Sequence, residues 1–257
     1  MIRKPGRERG FSLLELMIAV TIGLVLTITV AQLFIGTRRT FATTDDVSRM
    51  QENIRFAYQV LTRTIHLAGY KSSPNIKTED VFTTAEPLLV TADGGAGVAS
   101  DSFTVSYEGS SNGPGQPADN TVLDCGGNAV QAGLKATNTF SIAEGENKRP
   151  ALFCNGVELI AGVQNMQVLY GLDTDRDMVA DNYVIGSPAL PVINVRSMRI
   201  ALLFETPPNS IDTAKTRTAV TQDSQVHTLN GVALPAFNDT YIRRVVTMTI
   251  NLRNRTP

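Results

Sequence analysis

Cysteine, histidine and excess charge are all scarce in this chain of 257 residues. It holds two cysteines, Cys125 and Cys154, and two histidines, His66 and His227. A zinc site needs further ligands and a redox-active cysteine pair is closely spaced, so neither has support here. Basic and acidic residues nearly balance, 23 against 24, which gives no basic excess for gripping nucleic-acid phosphates. No serine stands in a glycine-framed elbow, no histidine pair has metal-binding spacing, and no glycine loop with lysine is present to cradle phosphate. Nothing in the chain therefore reads as an enzyme. Charge is also missing throughout residues 16–37, and no obvious small-residue cleavage site follows that stretch, which argues against an ordinary secretory signal peptide.

What is there begins with an apolar run over residues 11–36 that contains one carboxylate, Glu15. About 20 helical residues cross roughly 30 Å of hydrocarbon, so the run is long enough to span a membrane. Arg3, Lys4, Arg7 and Arg9 precede it against one acid, Glu8, which favours a cytoplasmic N-terminus and sends everything after Arg38 and Arg39 across the bilayer. A charge near the bilayer centre costs roughly 2.5 to 3.5 kcal/mol even on lenient scales, so Glu15 demands a partner or a shallow position. Without the first ten residues the charges are 19 basic against 23 acidic, a formal net of minus four.

Residues 38–70 change pattern. Phe41, Val47, Met50, Ile54, Ala57, Leu61, Ile65 and Ala68 recur at three- and four-residue steps, with Asp45, Asp46, Arg49, Glu52, Arg55 and Arg63 elsewhere, which predicts a continuation of the same helix with one buried stripe. Gly69 is a natural C-cap and Pro74 prevents extension. The expected helix runs from Phe11 for about 58 residues, and Gly23 is a point where it can bend. Beyond it the chain reads as strands. Phe103, Val105 and Tyr107 share one face over residues 102–107, and Asn155-Gly156 between residues 152–154 and 157–160 signals a tight hairpin. Met198, Ile200, Leu202 and Phe204 share a face, as do Ile242, Val246, Met248, Ile250 and Leu252. Such one-sided strands need an apolar cover, for which the helix stripe is the candidate. Residues 93–101 and 109–120 read as surface loops. Two cysteines in a domain delivered outside the cytoplasm are most simply a disulfide, Cys125–Cys154, in a unit that has ample length for a real core.

Gly10 followed by Phe11, Ser12, Leu13, Leu14, Glu15 and Leu16, behind a short basic leader, resembles the processing site of class III prepilins. The segments NIRFAYQVLTRTIHLAGY (53–70), VQNMQVLYGLDTD (163–175), SMRIALLFET (197–206) and YIRRVVTMTINLRNR (241–255) are together similar to the PilW family of type IV pilus minor pilins. The resemblance implies an α+β pilin fold, a long N-terminal helix packed on an antiparallel sheet. It implies a leader over 1–10 cut after Gly10 by prepilin peptidase, methylation of Phe11, and recruitment through Glu15, whose carboxylate would neutralise the amine of a neighbouring subunit. It divides the chain into an embedded helix half (11–37), an amphipathic half (38–70) and a β-rich domain outside the inner membrane (71–257). The implied partners are other minor pilins, the major pilin, the peptidase and a large tip adhesin; the implied place is the inner membrane and then the pilus surface. Many major pilins carry a proline midway along the anchor, and its absence here argues against the bulk fibre subunit. A J-type pseudopilin of type II secretion shares the leader, Glu15 and the helix and is the alternative. DNA uptake filaments are a third possibility, for which only a local patch of Arg243, Arg244, Arg253 and Arg255 speaks.

One cluster has metal-ligand spacing. Asp173, Asp175, Asp177 and Asp181 stand at positions one, three, five and nine of a calcium loop, with the Val179 carbonyl at seven. Met178 occupies the sixth place where glycine usually turns the chain, and Val184 the twelfth where a bidentate acid belongs. With two rules broken, a solvated acidic turn is the expectation and bound calcium the alternative. No cofactor is otherwise expected.

Overall fold

The computed structural model describes residues 10–83, 86–95, 99–113, 115–146, 148–206, 223–239 and 241–254. The basic leader residues before Gly10, and Arg255, lie outside them. The chain forms two compact units, Met1–Asp45 and Asp46–Pro257.

One α-helix, α1, runs over Leu13–Leu67, 55 residues, with Ser12 accepting the first helical hydrogen bond from Leu16 N–H. No break occurs at Gly23. Up to residue 45 its large apolar side chains are exposed, from 77 % at Leu13 down to 49 % at Ile28. From Asp46 onward burial follows the expected stripe: Met50, Ala57, Leu61, Ile65 and Ala68 are buried, and Ile54 packs against them. Two positions depart from expectation. Phe41 is 72 % exposed and belongs to the apolar first unit, whereas Asp46, assigned to the polar face, is buried. The helix ends as its sequence requires. Gly69 takes φ +76° and donates its N–H to Ser106, and the His66 carbonyl in the last turn accepts from Asn254 Nδ2. That second cap comes from the far end of the chain and satisfies a carbonyl that no local residue reaches.

The second unit contains a short α2 (Thr78–Val81) and three antiparallel sheets in place of the single sheet expected. The first is a meander of β1 (Leu89–Ala92), β2 (Ser102–Glu108), β3 (Lys135–Glu144), β4 (Pro150–Cys154) and β5 (Val157–Ala161) in sequential order. Its β4–β5 hairpin turns at Asn155 (φ 51°) and Gly156 (φ 78°), the left-handed pair that a type I′ turn needs. The second is built from β6 (Val163–Leu172), β7 (Asn182–Ile185), β8 (Val195–Glu205) and β11 (Arg243–Asn251), ordered β11-β8-β6-β7. The third is a two-stranded hairpin of β9 (His227–Leu229) and β10 (Val232–Leu234).

The helix stripe shares one core with both larger sheets. Phe103, Val105, Phe140 and Leu152 enter it from the first, and Met166, Tyr170, Met198, Ile200, Leu202, Phe204, Met248 and Ile250 from the second. The C-terminal half of β8 is buried on both faces, because Ala201 and Leu203 on its reverse side pack with Leu229 and Leu234 of the small hairpin. The alternation in residues 198–204 is therefore one of two covered faces. Cys125 and Cys154 form the expected disulfide, with Cα atoms 6.4 Å apart.

Candidate functional site

Gly10 and Phe11, the residues expected to carry processing, stand in open surroundings. Gly10 precedes α1, and a Cβ built on it would meet nothing within 4 Å. Phe11 is 85 % exposed. Nothing among the described residues makes glycine necessary at position 10. Glu15 lies in the first turn of α1, where the positive end of the helix dipole favours an acid. It makes no hydrogen bond or ion pair among the described residues. Around it the helix is long and apolar enough to cross a membrane by length and composition, and none of its most apolar 18 residues is buried. The hydroxyls within that stretch are satisfied locally. Thr21 donates to the Ile18 carbonyl, Thr27 to Gly23 and Thr29 to Val25, each at 2.8 Å. Arg38, at the far end of the apolar run, lies 4.5 Å over the Phe34 ring.

The acidic turn after β6 brings three of its four carboxylates together. Ligand oxygens of Asp173, Asp175 and Asp177 lie within 4.8 Å of one another, with Asp173 buried and the other two exposed. Asp181 does not join them; its Oδ2 accepts from both the N–H and the hydroxyl of Thr174. Asp173 is engaged within the fold, accepting from Arg176 N–H at 2.6 Å, from Met178 N–H at 3.2 Å and from Arg196 Nε at 2.8 Å. The Arg196 hydrogen bond comes first among the causes that hold its carboxyl below the usual carboxylate range. A guanidinium thus supplies charge at the position where a calcium loop places its first ligand. Met178, where glycine was missed, takes φ 73°, and Arg176 φ 69°. Two left-handed non-glycine residues cost roughly 1 to 2 kcal/mol each, and the three bonds to Asp173 are what hold them there.

The arginine patch does not form as expected. The Arg243 side chain is fully buried, bonded by Nη1 to Asp239 at 2.6 Å and to Asp223 at 3.2 Å, with Glu205 at 3.6 Å and the Phe237 ring 4.0 Å from its guanidinium carbon. Buried Glu205 of β8 and the partly buried Asp223 and Asp239 around the small hairpin consume its charge. Glu205 also pairs with Arg149, yet burial pushes its carboxyl up from the usual range against both guanidinium groups. At Asp239 and Asp223 the opposing burial effect is overcome, mainly by hydrogen bonds from Arg243 and His227 respectively, and both are held low. Sequence reasoning missed this network because its acids, Glu205, Asp223 and Asp239, are scattered and carry no motif spacing.

Comparison with known proteins follows the same division. Residues 130–254 match the family described as Type IV Pilus-assembly protein W, and residues 5–31 match the prokaryotic N-terminal methylation motif. No curated protein matches the chain. Among solved structures, a type IV-like pilin from Thermus thermophilus aligns at 14 % identity over 80 % of this chain and 97 % of its own, with a TM-score of 0.42. Its PilW region, which holds β3 to β11, and its prepilin methylation motif make the chain a type IV pilin-like protein with a PilW domain.

Proposed function

We propose that this chain is a minor pilin that primes assembly of a type IV pilus and enters the fibre near its tip. One observation carries the reading. Glu15 is a single carboxylate in an exposed apolar helix and has no partner among the described residues, so a second polypeptide must neutralise it once the helix leaves water. In a bundle of such helices the low dielectric strengthens its attraction to the new amino group of an adjacent subunit. The peptidase cuts after Gly10 and methylates Phe11. The openness around Gly10 supports this, since the demand for glycine then comes from an enzyme that must approach the backbone. Before assembly the chain sits in the inner membrane as a single pass with its N-terminus in the cytoplasm; afterwards it is exposed on the cell surface. Its partners are the other minor pilins, the major pilin and a tip adhesin, and it performs no catalysis.

The test is incorporation. Glu15→Val is expected to insert in the membrane at parental levels and to vanish from sheared fibres, while mass spectrometry of the parental subunit finds methylated Phe11 as its first residue. Equal incorporation of the variant, or retention of the first ten residues in fibres, refutes the reading. Deletion separates it from the J-type pseudopilin of type II secretion: loss of surface pili and twitching supports the minor pilin, and accumulation of secreted enzymes in the periplasm supports the pseudopilin.

A further inference from the structure

A cavity of about 290 Å³ opens where β7, β8 and the end of β11 meet the acidic turn. Tyr183, Arg196, Ser197, Asn251 and Arg253 give it polar walls, and Met178 stands at its side. The strands are shaped to form it. Behind it on β6, a Cβ at Gly171 would stand 2.3 Å from Ser197 Oγ, 2.8 Å from Ala180 Cβ and 3.1 Å from Tyr183 Cε1. A side chain at position 171 would therefore displace three lining residues at once. Tyr183 is fixed further by a 3.0 Å hydrogen bond between its hydroxyl and Ser197 Oγ, and by the Arg199 guanidinium 3.8 Å over its ring.

The walls carry a sign. Arg196 is matched by Asp173 inside the fold. Arg253 is exposed and pairs with no carboxylate among the described residues. Its charge, after burial, helps hold His66 below the usual imidazole range. Asp175 and Asp177 turn back on their own loop, accepting from the N–H groups of Asp177 and Val179. A guanidinium without a counter-ion among the described residues, beside two hydroxyls and an amide, suits an oxyanion, to which its hydrogen bonds are roughly twice as strong as to a neutral acceptor. At ~30 Å³ per water the space equals that of about ten waters, enough for one acid-ended side chain with its peptide neighbours. Met178 and Val179, 45 % and 60 % exposed, offer apolar contact to the methylenes of such a side chain.

We propose that this cavity binds the carboxylate of an acidic peptide segment presented by a neighbouring pilus subunit, a role that rests on the filament reading above. The full chain in detergent micelles is titrated with N-acetyl-Gly-Asp-Gly-amide, with its Asn counterpart and with sodium acetate, and binding is read by saturation-transfer NMR. The Asp peptide binds; the Asn peptide, and the Arg253→Gln chain with the Asp peptide, bind about tenfold more weakly or less. Arg244→Gln, also exposed, leaves binding unchanged, and neither substitution alters the melting temperature. Equal affinity for the Asp and Asn peptides, or unchanged binding by Arg253→Gln, overturns the proposal. Acetate bound as tightly as the Asp peptide overturns the peptide source. The titration needs no fibre: peptide binding by a chain that never enters pili removes the filament reading alone, and entry into pili without peptide binding removes this proposal alone.

Discussion

Loss of the Cys125–Cys154 bridge tests how the second unit is held together. The bond closes a loop with a sequence separation of 29 that contains all of β3 and its hairpin to β4. Both of its ends stay anchored without it. Cys154 is buried opposite Phe140 in the β3–β4 register, and Cys125 donates its N–H to Asn138 Oδ1 at 2.8 Å. The bond therefore acts chiefly by removing conformations from the unfolded chain, and a loop of this length gives roughly 3.5 kcal/mol on the chain-entropy relation. For a unit of this size each kcal/mol moves the melting midpoint by about 2 to 4 °C, so reduction is expected to lower it by about 7 to 14 °C. Thermal melts of the detergent-solubilised chain, followed by β-sheet circular dichroism with and without reductant, read the shift; the Cys125→Ala, Cys154→Ala double variant repeats it without reductant. A drop below about 2 °C in both would refute the reasoning, because the unfolded chain would then gain little freedom from the cut.

Arg243→Met strands three acids around a fully buried site and is expected to cost about 3 to 5 kcal/mol in chemical denaturation, against less than about 0.5 kcal/mol for exposed Arg244→Gln; similar costs would disprove the buried network. Leu61→Ala removes a fully buried side chain from the stripe facing both sheets and is expected to cost about 2 to 5 kcal/mol by the same measurement. The pH arm follows from Asp173, whose folded pKa lies below its unfolded one. Its ionisation stabilises the fold above the unfolded value, near 3.9 for a free aspartate, and that gain is lost as pH falls through the folded value. Arg196→Gln is then expected to move the acid-unfolding midpoint to higher pH, and an unchanged midpoint denies Arg196 its part. Calcium decides the remaining ambiguity at the acidic turn: a rise in melting temperature that Asp175→Ala abolishes establishes a bound ion, and an unchanged parental melt leaves a solvated turn.

The elements that sequence made legible were those with a strict period or a turn dipeptide. The stripe from Met50 to Ala68, the alternation in β2 and the Asn155-Gly156 turn each follow from local chemistry that their neighbours do not override. Phe41 was misplaced because apolar residues at helical spacing look alike whether they face protein or the surroundings of an anchor. The reverse face of β8 was not read as covered, because Ala201 and Leu203 are buried only by a hairpin remote in sequence, with Leu229 and Leu234. Asp181 matched a spacing rule, but its hydrogen bonds went to Thr174, and side-chain direction is not encoded in spacing. Arg243 looked like part of a basic patch because its acidic partners come from strands and loops remote in sequence. Gly10, Phe11 and Glu15 lie close together within the stretch that matches the methylation motif, so the motif itself was legible without any tertiary contact.

The self-contained threonines of the anchor have a mechanical corollary. Because Thr21, Thr27 and Thr29 already spend their hydroxyl protons on the turn beneath them, extraction from lipid and docking against protein leave those bonds untouched. On the proposed processing after Gly10, Glu15 is the fifth residue of the mature chain, and its carboxylate is the one side-chain charge in residues 11–37 that must find something new when the medium changes.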